Sequence, residues 1–208
     1  AFIESNSALP ITMRCALESA VLACQSGIQR IHILNRTIDG ALLTELFSRD
    51  GIGTLISLSP FENQRTAELN DISGILELIT PLEQQGLLIS RSKEHLETHI
   101  KDYRVIERDG LIIGCTALHP IINSHAGLIA CLAIHPDYRK SSRGNQLLEQ
   151  LLLSAKQQGL QEVLALSTQT MHWFKERGFN EVNFTQLPDT LQSSYNHLRN
   201  AKVLSKSL

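Results

Sequence analysis

The apolar pattern of this 208-residue chain predicts an α/β fold built in two unequal parts. Three observations carry the prediction. Helical and strand-like apolar periods alternate from residue 13 to the end of the chain. Residues 58–65 break the alternation with Ser, Pro, Asn and Gln and no period of their own. The segment before that break holds too few strands to bury a helix-covered parallel sheet by itself.

Taken in order, Ala16, Leu17, Ala20, Val21 and Ala23 form a helical stripe that stops at Gly27, and residues 28–34 then alternate as a strand does. Asp39 and Gly40 punctuate, residues 41–48 make a short helix, and Gly51 to Gly53 lead into a strand from Thr54. Residues 1–57 thus have the pieces of a helix-on-parallel-sheet layer, expected as the tail of a missing domain, with 58–65 as linker and 66–208 as a second domain. In that second part Asn70 is placed to cap a helix whose stripe Ile72, Ile75, Leu76, Ile79 runs to Gly86, and Ser92 to cap another over 93–100. Residues 103–107 and 111–118 are strand-like around Asp109-Gly110, a strong hairpin signal. A strand over 128–135 ends at Pro136, and a long amphipathic helix covers 144–158. A strand over 161–168, a short helix over 171–177 closed by Gly178, and strand-like runs at 182–184 and 202–205 complete the chain.

Composition excludes several classes. Apolar residues are 42% and charged residues 19%, which suits a folded core. With 19 basic against 21 acidic residues the formal charge is −2, so charge does not mark a nucleic-acid binder. The longest apolar stretches, such as 111–118 and 147–153, fall short of the roughly 18 to 20 residues of a membrane span, so a soluble protein without a membrane partner is expected. Residues 1–5 carry no secretory pattern, and the absence of an initiator Met points to a processed or excised chain. Cys15, Cys24, Cys115 and Cys131 have no metal spacing and sit in apolar runs, so buried free thiols in a reducing compartment are expected.

The most informative segment joins the strand over 128–135 to the long helix. It contains Arg139, Lys140, Ser141, Ser142, Arg143, Gly144 and Asn145. A buried strand breaks at a proline, crosses a small, basic loop and enters a helix, so backbone N–H groups point outward at the positive helix end. Such a loop either cradles an anion or caps a surface helix.

Arg139, Ser142 and Gly144 resemble the R-x-x-G-x-G pyrophosphate loop of the GNAT acetyltransferases, with Ser142 in place of the first glycine and Gly144 keeping the second. The preceding strand, the following helix and the run from Trp173 to Phe179 keep the family's order. Residues 40–54 resemble the end of an amino-acid-kinase domain, and residues 75–86 and 167–174 are similar to the bacterial N-acetylglutamate synthases, a family in which such a domain precedes the GNAT domain. The resemblance implies a GNAT fold, a mixed and mostly antiparallel sheet flanked by helices, preceded by a partial amino-acid-kinase remnant. It further implies acetyl transfer from acetyl-CoA, without a metal, to the α-amine of L-glutamate, in a cytoplasmic homo-oligomer. Arginine is the implied effector of the full-length protein; this chain alone is expected to respond weakly or not at all.

The same resemblance assigns roles. The strand residues Leu132, Ala133 and Ile134 and the loop residues Arg139 to Asn145 hold the coenzyme. Ser167 stands beside the leaving sulfur, where it donates a proton directly or through water; the residue alone is equally a strand-end hydroxyl bonded to backbone. Arg91 and Arg199 match basic residues near the acceptor's carboxylates, and Cys131 matches a cysteine that faces the acceptor with its backbone. Departures are equally plain. Leu128 stands where relatives place a candidate general-base glutamate, Ala201 where they place a substrate-contacting serine, and Phe174 where many GNAT enzymes place a tyrosine. A water chain toward His125 or His172 is one replacement for the base. Two other readings stay open: a non-catalytic acetyl-CoA-binding module, and transfer to another small amine or a peptide.

Overall fold

In the computed structural model, which describes residues 9–48, 51–58, 62–139, 142–188, 191–192 and 201–208, the chain divides into two units, residues 1–61 and 62–208. In the first, helix α1 (Ile11–Gln25) buries Ala20 and Cys24 and is followed by Gly27 at φ +106°. Strand β1 (Arg30–Ile33), helix α2 (Ala41–Phe47) and strand β2 (Thr54–Ser57) follow.

The two strands pair antiparallel, Ile31 opposite Ile56 and Ile33 opposite Thr54, which corrects the parallel layer expected from the helix–strand alternation. The cause is local. The Glu45 carboxylate accepts the N–H groups of Ile52 at 2.6 Å and Gly53 at 2.7 Å and meets His32 Nδ1, turning the chain back beside β1. Those contacts, His32 first, pull the carboxyl down to about 2. Cys15 is exposed, against the expectation that all four thiols are buried; it lies on α1 away from Ala20 and Cys24.

The second unit is a seven-stranded sheet in the order β3-β4-β5-β6-β7-β9-β8. Its first strand, β3 (Asn63–Thr66), lies inside the expected linker. It is an edge strand of polar residues, anchored where Arg65 forks onto Asp71 at 2.6 and 2.8 Å and reaches Glu107 at 2.8 Å. The Arg65 guanidinium, with the Glu68 N–H, holds Asp71 below the usual carboxylate range. Glu68 and Asp71 then form a capping box around a single 3₁₀ turn, so they, and not Asn70, start α3 (Ile72–Gln84). Ser92 does cap α4 (Lys93–His99), its hydroxyl accepting the His95 N–H.

Strands β4 (Tyr103–Arg108) and β5 (Leu111–Pro120) form the expected hairpin, with Asp109 at φ +52° and Gly110 at φ +80° supplying the two left-handed residues of a tight turn. Strand β6 (Ala126–Ile134), helix α5 (Arg143–Gln157), strand β7 (Glu162–Ser167) and helix α6 (Met171–Lys175) follow. The strand expected over 182–184 is instead the two-residue β8 (Asn180–Glu181) and a 3₁₀ turn closed by an Asn183–Gln186 capping box. Strand β9 (Lys202–Ser207) pairs antiparallel with both β7 and β8.

Alternation along the strands builds a core on each face of the sheet. Ile75, Ile79 and Leu96 pack on Tyr103, Val105, Ala117 and Cys131 from one side. Leu148, Leu151 and Phe174 pack on Ile129, Val163 and Leu204 from the other. Burying a side chain of this kind contributes about 1.5 to 3 kcal/mol, so the two layers hold the sheet between them.

Candidate active site

Every strand pair in the sheet is antiparallel except β6 and β7. That parallel pair holds only from Ala126 opposite Glu162 to Ile129 opposite Ala165, although β6 runs on to Ile134 and β7 to Ser167. Past residue 129 the two strands part, and a cleft of about 530 Å³ opens between them.

A bulge shapes one wall. Cys115 faces Ala133 and Ala117 faces Ala130, so Thr116 alone stands opposite Cys131 and Leu132. Cys131 takes φ +51°, a left-handed conformation uncommon for a residue with a side chain. The carbonyl freed there accepts the Cys115 thiol at 3.3 Å, and the Tyr103 hydroxyl meets Cys131 Sγ at 3.7 Å. Burial pushes both thiols upward, so neither is a ready nucleophile. Beyond the bulge His135 N–H donates to Ile113 O at 2.8 Å. Strand alternation then turns the N–H groups of Leu132 and Ile134 to the open edge, where both residues line the cleft with Ala133.

The far end is the start of α5. First-turn N–H groups have no intrahelical acceptors, and the Ser142 side chain does not cap them. Gly144 and Asn145 line the cleft, as does Arg139, whose Nε donates to Ile134 O at 3.1 Å. The Arg143 side chain is engaged within the protein. Its guanidinium forks onto Glu62, donates to Tyr138 O at 2.9 Å and lies 5.5 Å from the Tyr138 ring, and it is not among the residues lining the cleft. Nor is Ser142; Lys140 and Ser141 lie outside the described residues.

A clamp that the sequence reading missed stands across from Gly144. Arg177 donates from Nε to Asn145 Oδ1 at 2.7 Å and from Nη1 to Trp173 O at 2.6 Å, and lies 4.0 Å above the Trp173 ring. It ties the start of α5 to α6 and, like Arg139, brings a guanidinium to the cleft wall. The signal was the chain's one Trp four residues before an Arg, the spacing of one helical turn.

Ser167 is 7% exposed at the end of β7 and lines the cleft. Its oxygen accepts the Thr170 N–H at 2.9 Å and lies 2.8 Å from the Thr170 hydroxyl, so the backbone-bonded hydroxyl and a hydroxyl at the cleft are the same group. Leu82, Leu88, Ile89 and Arg91, from the end of α3 and the loop after it, also line the cleft. Glu83 at the end of α3 holds that loop, accepting Arg91 N–H at 3.0 Å and the Ser90 hydroxyl at 3.2 Å. Arg91 Nη1 donates to Ile89 O at 3.0 Å, while its buried Nε has no partner among the described residues. Leu128 and Phe174 line the cleft, and Ala201 is buried. His125 and His172 are exposed and do not line it. Arg199 lies outside the described residues. Among the described residues no group of three or more His, Cys, Asp or Glu is arranged to hold a metal, and no helix is long and apolar enough to cross a membrane.

Comparison with known proteins bears on this geometry. Residues 99–181 match the Acetyltransferase (GNAT) domain. The chain is 50% identical over 192 residues to the amino-acid acetyltransferase of Salmonella typhi, covering 92% of this chain and 43% of that one. It resembles N-acetylglutamate synthase from Neisseria gonorrhoeae in complex with coenzyme A and L-arginine, with 39% identity and a TM-score of 0.85 over 97% of this chain and 46% of that one. The same enzyme complexed with coenzyme A and N-acetyl-glutamate gives 40% identity and a TM-score of 0.69 over 97% and 48%. The chain therefore spans less than half the length of these relatives.

Proposed function

We propose, from the premise that the second unit is a GNAT acetyltransferase domain, that it moves the acetyl group of acetyl-CoA to the α-amine of L-glutamate. The observation that carries the reading is the cleft itself: uncapped helix N–H groups at Gly144 and Asn145 at one end, and an Arg91 guanidinium with an unpartnered Nε at the other. A diphosphate suits the first, a carboxylate the second.

The residues present fit the coenzyme. A Cβ on Gly144 would stand 3.4 Å from Trp173 Cζ2, at the limit of ordinary contact, so a small residue here leaves the helix start open to a phosphate. Arg139 and Arg177 add positive charge beside it. Acetyl-CoA, when bound, supplies an acetyl group activated as a thioester. In this reading the N–H groups of Leu132 and Ile134, at the open edge of β6, donate to its oxygen as negative charge develops, and fixed donors of this kind supply much of the catalysis in acyl transfer. Ser167 stands at the tip of the opposite strand, placed to give its proton to the departing sulfur while Thr170 holds its oxygen. The acceptor nitrogen attacks as a neutral amine. Arg199 and the backbone of Cys131 complete the acceptor side in this reading, with Lys140, Ser141 and Ser142 at the diphosphate.

Residues 1–57 are read, from their resemblance, as the end of an amino-acid-kinase domain of a longer cytoplasmic, oligomeric protein whose effector is arginine. Release of CoA thiol in the presence of acetyl-CoA and single amino acids tests the central reading. Turnover with L-glutamate and a product 42 Da heavier, the mass of an acetyl group replacing a hydrogen, are expected. CoA binding without turnover would favour the binding-module reading that Leu128 invites, and turnover with another amine alone would move the acceptor.

A further inference from the structure

Three buried side-chain polar atoms of the second unit have no hydrogen-bond partner among the described residues: Arg91 Nε, His95 Nε2 and His119 Nε2. They belong to one neighbourhood. His95 and His99, one turn apart on α4, stack with ring centroids 4.4 Å apart. The His119 ring on β5 meets them edge-on at 6.2 and 5.8 Å, and the charge of Arg91 is felt at both His95 and His119. Buried polar atoms without partners are rare, and two on neighbouring rings, His95 Nε2 and His119 Nε2, mark a place that a water fills.

His119 is oriented to take a proton there. Its Nδ1 lies 3.1 Å from Asp102 Oδ2, which fixes the Nδ1–H tautomer and leaves a bare lone pair on the buried Nε2. In the β5–β6 register His119 stands directly opposite Leu128, a residue of the cleft wall, and directly opposed residues share a face of the sheet. The face is the one that carries Cys131, linked to the cluster by Tyr103, whose ring is 5.9 Å from that of His119.

We propose that His119, held by Asp102, accepts the proton that the acceptor's ammonium must lose, through one water lodged between the Nε2 atoms of His119 and His95. This rests on the acetyl-transfer reading above. The water gives a proton to His119 Nε2 and takes one from the ammonium; the freed lone pair forms the C–N bond as the C–S bond breaks. The amine's second proton leaves with the thiolate as CoA thiol, and His119 returns its proton to solvent. Positive charge thus passes from ammonium to imidazolium beside the Asp102 carboxylate, and the site's charge does not change.

The charged and titratable groups facing His119 are Asp102 before β4, Tyr103 on β4, His95 and His99 on α4, and Arg91 in the preceding loop. Burial, with Arg91 and His99 adding to it against Asp102, holds His119 below its ordinary value, so it is a neutral acceptor at pH 7. His119 acts through the water, and a pH profile is the readout that separates this role from packing.

The test measures kcat/KM for L-glutamate from pH 5.5 to 9.5 in the full 208-residue chain, for the wild type, His119→Asn and Asp102→Asn, with CoA affinity followed by calorimetry. The wild type is expected to show an acid limb below pH 6.5 and a plateau near neutrality. His119→Asn is expected to fall about 100-fold or more at pH 7, then rise about tenfold per pH unit and approach the wild type at high pH as the amine ionises by itself. Asp102→Asn, at a partly exposed position, is expected to fall about tenfold with CoA affinity unchanged, and it carries the test if His119→Asn loses CoA binding. An active wild type whose variants keep its profile within about twofold overturns the proposal alone. A wild type that turns over no glutamate overturns it together with the acetyl-transfer reading.

Discussion

Replacing Gly144 by valine separates coenzyme binding from folding more cleanly than any other single change here. Gly144 is the second residue of α5 and needs no left-handed backbone; a Cβ there meets only Trp173 Cζ2, at 3.4 Å, which is tight but passable. Valine adds two further carbons to that gap. They must stand over the first-turn N–H groups or push Trp173 outward, and Trp173 is held by Arg177 stacked at 4.0 Å. A phosphate kept from the helix start loses at least one charge-assisted hydrogen bond, about 1.5 to 3 kcal/mol, or roughly a 10- to 150-fold loss of affinity. Valine has a better helix propensity than glycine by a few tenths of a kcal/mol, so the melting temperature should hold or rise slightly. Calorimetry with CoA alongside thermal unfolding decides the matter, with Gly144→Ala expected between the two. A valine variant that melts like the wild type and binds CoA as tightly would show that the diphosphate does not sit at this helix.

The acceptor end and the strand tips give three further expectations. Arg91→Ala removes the guanidinium proposed to hold the acceptor's carboxylate and should raise KM for glutamate about 10- to 100-fold while CoA affinity stays put; an unchanged KM would free Arg91 of that role. Ser167→Ala deletes the acceptor of the Thr170 N–H and should lower stability by about 1 kcal/mol, read by urea unfolding, and lower kcat without changing KM for glutamate. The third concerns pH. His95 and His119 are both held below the ordinary 6.5, chiefly by burial, so below that pH the unfolded chain binds more protons than the folded one, and stability falls as pH drops from 6.5 toward the lowered values. A His95→Gln, His119→Gln double variant should therefore lose less melting temperature between pH 7 and 5 than the wild type, and parallel slopes would refute the assignment.

What was legible in the chain was whatever one local pattern decides. Asp109-Gly110 demands two left-handed residues and becomes the β4–β5 turn; Ser92 caps α4; the strand, loop and helix around Gly144 follow from a proline, small residues and an apolar stripe within about twenty positions. The readings that failed depended on distant partners. Residues 63–66 carry no apolar alternation because an edge strand needs none, and they belong to the sheet through Glu107, 42 positions from Arg65. Arg143 has the charge of a phosphate ligand, but charge in a sequence has no direction; Glu62, 81 positions away, turns it from the cleft. Cys131 is the sharpest case. Nothing in its type predicts φ +51°, which exists because Thr116 must oppose two residues and because the Cys115 thiol satisfies the carbonyl that the bulge frees. That single misregister shifts the alternation by one residue and so decides which N–H groups of β6 face the open edge; the donors proposed for acyl transfer are set by a pairing irregularity and not by any side chain that a motif names.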